Sequence, residues 1–174
     1  YYEYASHPGM GAEGYPDTVP WIERYPNLVV TRTFSKCYGL AGTRVGYAVS
    51  HQSVADLMNR VRPPFNVNLL ALEAATAALD DEAHLARSLE MNREGMAQLT
   101  AAFAALGLSY IPSVGNFVSV DVGRPAEQVY EGLLREGVIV RPVANYGMPN
   151  HLRVTVGRPE ENERFIAALK KVLV

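Results

Sequence analysis

Cysteine is almost absent from this sequence: Cys37 stands alone. One thiol excludes an internal disulfide framework and fits a reducing cytosol. No His/Asn partner pattern surrounds it, so it reads as a small filler beside its neighbours rather than a nucleophile. An excess of positive charge is absent too. Sixteen Lys and Arg against eighteen Asp and Glu leave a net charge of −2, which gives no support for the basic patch that nucleic-acid binding needs. No apolar run approaches the roughly 20 residues that span a bilayer, and no secretory signal pattern is present. His7, His51, His84 and His151 are scattered without metal-ligand spacing, so no metal site is expected. There is no repeat or low-complexity tract. What remains, 48% hydrophobic and 20% charged residues over 174 positions, is the composition of an ordinary globular chain of one domain, or one and a part.

Within that ordinary background one stretch stands out, from Thr31 to Tyr47. It follows the apolar run Leu28-Val29-Val30, which reads as the end of a buried strand, and leads into Val45-Gly-Tyr-Ala-Val49, which resumes one. Two hydroxyls, Thr33 and Ser35, precede Lys36; Gly39 and Gly42 follow, and Arg44 lies eight residues after the lysine. A lysine among apolar and small residues must be neutralised or put to chemical use. An amine in a partly desolvated pocket has a lowered pKa and can form a Schiff base with an aldehyde. If the aldehyde carries a phosphate, hydroxyls and an arginine fork must lie close, with glycines that let the backbone approach. Pyridoxal phosphate is such an aldehyde. On spacing alone the other reading stays open: a strand–loop–strand with a surface lysine and a rim arginine.

The rest of the chain alternates helical and strand patterns. Residues 1–25, rich in Tyr, Pro and Gly and including His7-Pro-Gly-Met-Gly11, read as strand end, loop and short helical turn. Trp21 and Ile22 are expected to pack a short helix against the sheet before the Pro26-Asn27 turn. A helix is predicted from Ser53, as its cap, to Val61, and a strongly apolar helix over 67–79. Asp80-Asp81 cap a long amphipathic helix over 82–106 that Gly107 ends. Its charged positions, Arg87, Glu90, Arg93 and Glu94, read as a solvated face. Beyond it come strands at 109–111, 116–121, 138–140 and 152–156, with helices at 125–136 (Ala126, Val129, Leu133 and Leu134 inward) and 159–173. Pro159 and the two glutamates after it suit a helix N-terminus. This second half is a compact α/β unit.

Two arginines in that unit call for partners. Arg153 alternates with Leu152 and Val154 and so faces away from them; an arginine on a packed strand needs an anion. Arg141 is a second candidate, and two guanidinium forks suit a dianionic phosphate. The bland alternative is a strand-end arginine paired with Glu160 or Glu161. Asn116 opens its strand as a substrate-side contact or as a simple turn residue.

Thr33-Phe-Ser-Lys36, Gly39-Leu-Ala-Gly42 and Arg44-Val-Gly46 resemble the cofactor-lysine segment of fold-type I aminotransferases, and within them the match is closest to histidinol-phosphate aminotransferases. Tyr1-Tyr-Glu-Tyr4, Asn116-Phe-Val, Gly137-Val-Ile-Val-Arg141, His151-Leu-Arg-Val-Thr-Val-Gly157 and Pro159-Glu-Glu-Asn162 resemble further family segments, in the family's order. The resemblance implies an α/β fold. It would comprise the C-terminal part of a large pyridoxal-phosphate-binding domain, with a mixed, mostly parallel sheet, over 1–80, and a linking helix with a small C-terminal domain over 81–174. It implies pyridoxal 5′-phosphate as cofactor, held by Lys36, Arg44, Ser35, Thr33 and Tyr1, the last through the cofactor's phenolic oxygen. It implies Lys36 as the catalytic residue, and Arg153, Arg141 and Asn116 on the substrate side. The implied reaction moves an amino group between histidinol phosphate and 2-oxoglutarate in histidine biosynthesis, in a cytoplasmic homodimer. Relatives are about twice this length and there is no initiator methionine, so the chain reads as a fragment lacking an N-terminal half. An aromatic-amino-acid aminotransferase, a pyridoxal-phosphate-dependent phospho-amino-acid decarboxylase, and an inactive docking half are the alternatives.

Overall fold

The computed structural model describes residues 1–9 and 14–174. The middle of the Tyr/Pro/Gly-rich start, including Met10 and Gly11 of the expected loop, lies outside the described residues. The chain divides into two compact units, Tyr1–Leu89 and Glu90–Val174. That division falls inside a long helix, whereas the boundary expected between residues 80 and 81 marks the helix's start.

In the first unit a short helix, α1 (Tyr2–Ala5), precedes a 3₁₀ turn (Val19–Glu23) that buries Ile22 and leaves Trp21 half exposed. Strand β1 (Val29–Thr33) and strand β2 (Gly46–Ser50) pair antiparallel, from Val29 opposite Ser50 to Thr33 opposite Gly46. The expectation was part of a mixed, mostly parallel sheet. The strands described in this unit are a two-stranded antiparallel pair, because a direct loop without a crossover helix joins them. β1 begins at Val29 where a strand end was expected, and of the Leu28–Val30 run only Val30 is buried.

Helix α2 (Gln52–Val61) is capped by His51, whose Nδ1 accepts from the Ser53 backbone at 3.3 Å, and not by Ser53 itself. Helix α3 (Leu69–Asp80) is capped by Asn68, whose side chain accepts from Ala71 N at 2.9 Å. Asp81 does the same for helix α4 (Glu82–Ala105), accepting from His84 N at 2.9 Å. Small side chains of α3, Ala71 and Ala75, pack under Phe34 and Val45 from the two ends of the β1–β2 loop. Tyr4, Cys37 and Leu89 form a second buried cluster.

The second unit is a four-stranded antiparallel sheet in the order β3-β4-β6-β5: β3 (Tyr110–Ile111), β4 (Phe117–Asp121), β5 (Arg141–Pro142) and β6 (His151–Thr155). Helix α5 (Ala126–Arg135) precedes β5 and helix α6 (Pro159–Leu173) closes the chain. Alternation at period two decides which residues go inside. Val118 and Val120 of β4 and Leu152 and Val154 of β6 join Leu99, Phe103, Val129, Leu133, Phe165 and Leu169 of the helices in one core. Leu134, expected to point inward, is exposed. Val138–Val140, expected as a strand, stay outside the ladder. Gly137, at φ +73°, reverses the chain at the end of α5, and Val138 N is spent on Leu133 O at 2.9 Å. The ladder therefore starts at Arg141.

Candidate active site

The loop between β1 and β2 is closed at its base by the last strand pair, Thr33 opposite Gly46, and by Phe34 N donating to Val45 O at 3.3 Å. Inside it the chain turns twice: Gly39 N donates to Lys36 O and Leu40 N to Phe34 O, each at 2.9 Å. Phe34 and Cys37 take the inward positions and are buried. Lys36 therefore lies on the outer side of the turn and is exposed, rather than in the desolvated pocket expected of it. Its Nζ stands 5.6 Å from the centre of the Tyr1 ring. Thr33 Oγ1 accepts from Ser35 N at 3.1 Å, which fixes the two hydroxyl-bearing residues on the approach to the lysine.

Arg44 ends the loop with φ 55° and ψ 45°, a left-handed conformation that costs a non-glycine residue about 1 kcal/mol. Its exposed guanidinium donates to Ala41 O at 2.8 Å, and among the described residues it has no acidic partner. Among the described residues, no heavy atom other than those of Gly42 and its chain neighbours lies within 4 Å of where a Cβ on Gly42 would sit, so the space beside this glycine is open. Beneath it, Tyr4 donates a hydrogen bond to the Cys37 thiol. Burial and the nearby Glu3 push that thiol up to about 11, and burial pushes the Tyr4 phenol up as well. Cys37 is 2% exposed, as its reading as a filler requires.

In the second unit Arg153 of β6 stands directly opposite Arg141 of β5 on one side and Ser119 of β4 on the other. Directly opposed residues share a face, so the two arginines lie side by side on the side of the sheet away from the core. Neither has an acidic partner among the described residues. Glu160 and Glu161, the alternative partners, bind Arg158 instead, at 3.1 Å each. Arg153 rests its guanidinium over the Phe117 ring at 4.7 Å, and Arg141 donates to the Tyr146 hydroxyl at 3.4 Å. Those two aromatic supports escaped the sequence reading: the pairing register that puts Phe117 beside Arg153 is not written in either strand alone. Asn116 lies just before β4; its carbonyl accepts from Val156 N, and Asn92 Nδ2 holds the adjoining Gly115 carbonyl at 3.1 Å. Among the described residues no group of three metal-binding side chains occurs.

A family model, Aminotransferase class I and II, matches residues 5–169. The chain belongs to the class I and II aminotransferase family. This aminotransferase chain is 65% identical to histidinol-phosphate aminotransferase 1 of Nitrosococcus oceani over 99% of its own length and 45% of the relative's. It is 61% identical to histidinol-phosphate aminotransferase 2 of Pseudomonas aeruginosa, over 99% of its length and 46% of the relative's. It thus spans about half the length of the curated relatives it matches. Among solved structures, histidinol-phosphate aminotransferase from Sinorhizobium meliloti in complex with pyridoxal-5′-phosphate superimposes with a TM-score of 0.86 and 29% identity, over 98% of this chain and 46% of that one. L-threonine-O-3-phosphate decarboxylase from Porphyromonas gingivalis gives 0.77 and 28%, over 89% and 49%.

Proposed function

We propose that this chain is the lysine-bearing part of a pyridoxal-phosphate-dependent histidinol-phosphate aminotransferase, a cytoplasmic homodimer of histidine biosynthesis that passes an amino group from histidinol phosphate to 2-oxoglutarate. The observation that carries the reading is the β1–β2 loop: an outward amine at Lys36 beside the Tyr1 phenol, two hydroxyls before it, and the strained Arg44 after it. The donor set fits a phosphorylated aldehyde with a phenolic oxygen. Bound there, pyridoxal phosphate supplies an aldehyde and an electron sink. Lys36 Nζ would be the attachment point, and its amine, once freed by the substrate, would move a proton between the substrate carbon and the cofactor's aldehyde carbon. Arg44, Ser35 and Thr33 would hold the phosphate. Tyr1 would donate to the phenolic oxygen. Arg153 and Arg141, side by side without acidic partners among the described residues, take the substrate's anionic groups, and Asn116 contacts its polar edge.

Because the chain spans only about half the length of its histidinol-phosphate relatives, the whole protein is the object to test. Borohydride reduction of the full-length protein after incubation with pyridoxal phosphate, followed by peptide mapping, should give an adduct confined to Lys36. An adduct spread over Lys36, Lys170 and Lys171, or none, overturns the reading and favours a docking role. Rates with histidinol phosphate and phenylalanine compared side by side separate this substrate from an aromatic one. Release of carbon dioxide from a phosphorylated amino acid would instead place the protein with the decarboxylase that resembles it.

A further inference from the structure

Ser119 carries a polar atom with nothing to do. Its Oγ is buried and has no hydrogen-bond partner. Buried hydroxyls are nearly always paired, and an unpaired one costs stability. Its neighbours, Val118 and Val120, point into the core. By the period-two alternation of β4, Ser119 therefore lies on the opposite face. There it stands directly across from Arg153, which in turn stands across from Arg141. Arg153 does not use the hydroxyl in the resting chain: its guanidinium lies over Phe117, two residues along the strand, at 4.7 Å from the ring centre.

A ring face attracts a guanidinium only weakly once an anion competes for it. Like charges set opposite each other on adjacent strands repel, so Arg153 and Arg141 both gain from an anion between them. Directly opposed side chains lie about 5 Å apart at Cβ, within reach of a guanidinium that leaves the ring. We propose that Ser119 is a positioning residue for anion capture: when an acidic group draws Arg153 off Phe117, the Ser119 hydroxyl accepts one guanidinium N–H and holds the fork toward the anion. The hydroxyl is unpaired in the resting chain because its partner arrives only with the ligand. This inference rests on the reading of Arg153 as the arginine that binds the substrate's acidic group.

Ser119→Thr and Ser119→Val, nearly equal in shape, differ only in the hydroxyl. In the full-length, cofactor-loaded protein, Ser119→Val should raise KM for histidinol phosphate about tenfold, as loss of one hydrogen bond to a charged group does, with kcat at saturation close to that of Ser119→Thr. Glutarate, a substrate-like dianion, should raise the unfolding temperature of the wild type and of Ser119→Thr but much less that of Ser119→Val; Arg153→Gln should lose the protection altogether. Without anion, Ser119→Val should unfold no earlier than Ser119→Thr. Equal KM values and equal glutarate protection in the two variants overturn the proposal, as does a wild type that glutarate does not protect. A Ser119→Val protein that unfolds earlier than Ser119→Thr without anion overturns it too, since the hydroxyl would then be paired at rest. If the wild type turns over no acidic donor, the functional reading fails, and glutarate protection, which needs no turnover, still decides the role of Ser119.

Discussion

At the scale of single residues the β1–β2 loop trades stability for presentation. Arg44 is one of two non-glycine residues held at positive φ among the described residues, the other being Phe65. Such conformations persist where the surroundings over-determine them, and they cluster at ligand clamps. Arg44→Gly should therefore leave the chain as stable or more stable, by up to about 1 kcal/mol in urea unfolding, while weakening cofactor binding at least tenfold by equilibrium dialysis, the scale of one charge-assisted contact. A lower unfolding midpoint would show that the arginine serves packing instead. Behind the loop, Cys37 and Tyr4 set a pH limit. The folded state holds the thiol proton up to about 11, against an ordinary value of 9.0. Between those values the unfolded chain has lost the proton and the folded chain keeps it, so the stabilisation is full below about 9 and is lost as pH rises toward 11. The raised Tyr4 phenol acts in the same direction. The unfolding midpoint should fall over that window in the wild type and fall less in Cys37→Ala. Iodoacetamide should leave Cys37 unmodified at pH 8 in the folded protein, although it adjoins the exposed Lys36.

At the scale of elements, closure of the loop depends on one close approach. A Cβ on Gly46 would sit 2.7 Å from the Arg32 carbonyl oxygen, a backbone atom that cannot swing aside. Gly46 is the partner of Thr33 at the last rung before the loop. Gly46→Ala should cost about 1–3 kcal/mol in urea unfolding, the range for overpacking, and should lower the yield of Lys36 adduct after borohydride reduction, because both ends of the loop shift with that rung. An unchanged midpoint and yield would mean the strands accommodate the methyl. The same rung shows what the sequence could and could not tell. The order of helices and strands was legible because hydrophobic periodicity and caps are local: Asp81, the Pro159 start of α6 and the alternation through Val118, Val120, Leu152 and Val154 all sit where they were read. The strand–loop–strand around Lys36 was legible from the apolar runs on either side of it, while spacing alone left the lysine's role open. The exposure of Lys36 was not legible, because which side of a turn faces the core depends on Phe34 and Cys37 filling it. The cap of α2 and the late start of β5 were missed for a similar reason: His51 Nδ1 accepts the backbone N–H of Ser53 itself and so starts the helix earlier, and the end of α5 takes the N–H that a strand at Val138 would need. The row from Ser119 through Arg153 to Arg141 exists only once three strands are in register.

At the scale of the whole molecule, the two units differ in how completely they bury their apolar side chains. The second encloses a core of fifteen buried residues around its sheet. In the first, the run from α2 to α3 was read as an amphipathic helix followed by a strongly apolar one, yet α2 buries none of its side chains, and Val61 at 81%, Phe65 at 97% and Leu70 at 81% stand in the open, with Leu57, Leu69 and Leu79 more than half exposed. Single exposed apolar residues are normal, but so many in one run exceed what a free surface carries without a partner. The chain also spans only about 45% of relatives such as that of Nitrosococcus oceani. The 174-residue chain by itself should therefore bind a hydrophobic dye such as ANS strongly and self-associate in light scattering at micromolar concentration. Paired substitutions Phe65→Ser and Leu70→Gln should reduce both signals without lowering the unfolding midpoint, because neither side chain is packed in this chain. In the full-length protein the dye signal should be small. There the same pair should cost stability, about 1–3 kcal/mol for each apolar side chain lost from a buried contact. A full-length protein that tolerates both substitutions and still binds the dye would show that these helices stay uncovered in the working molecule.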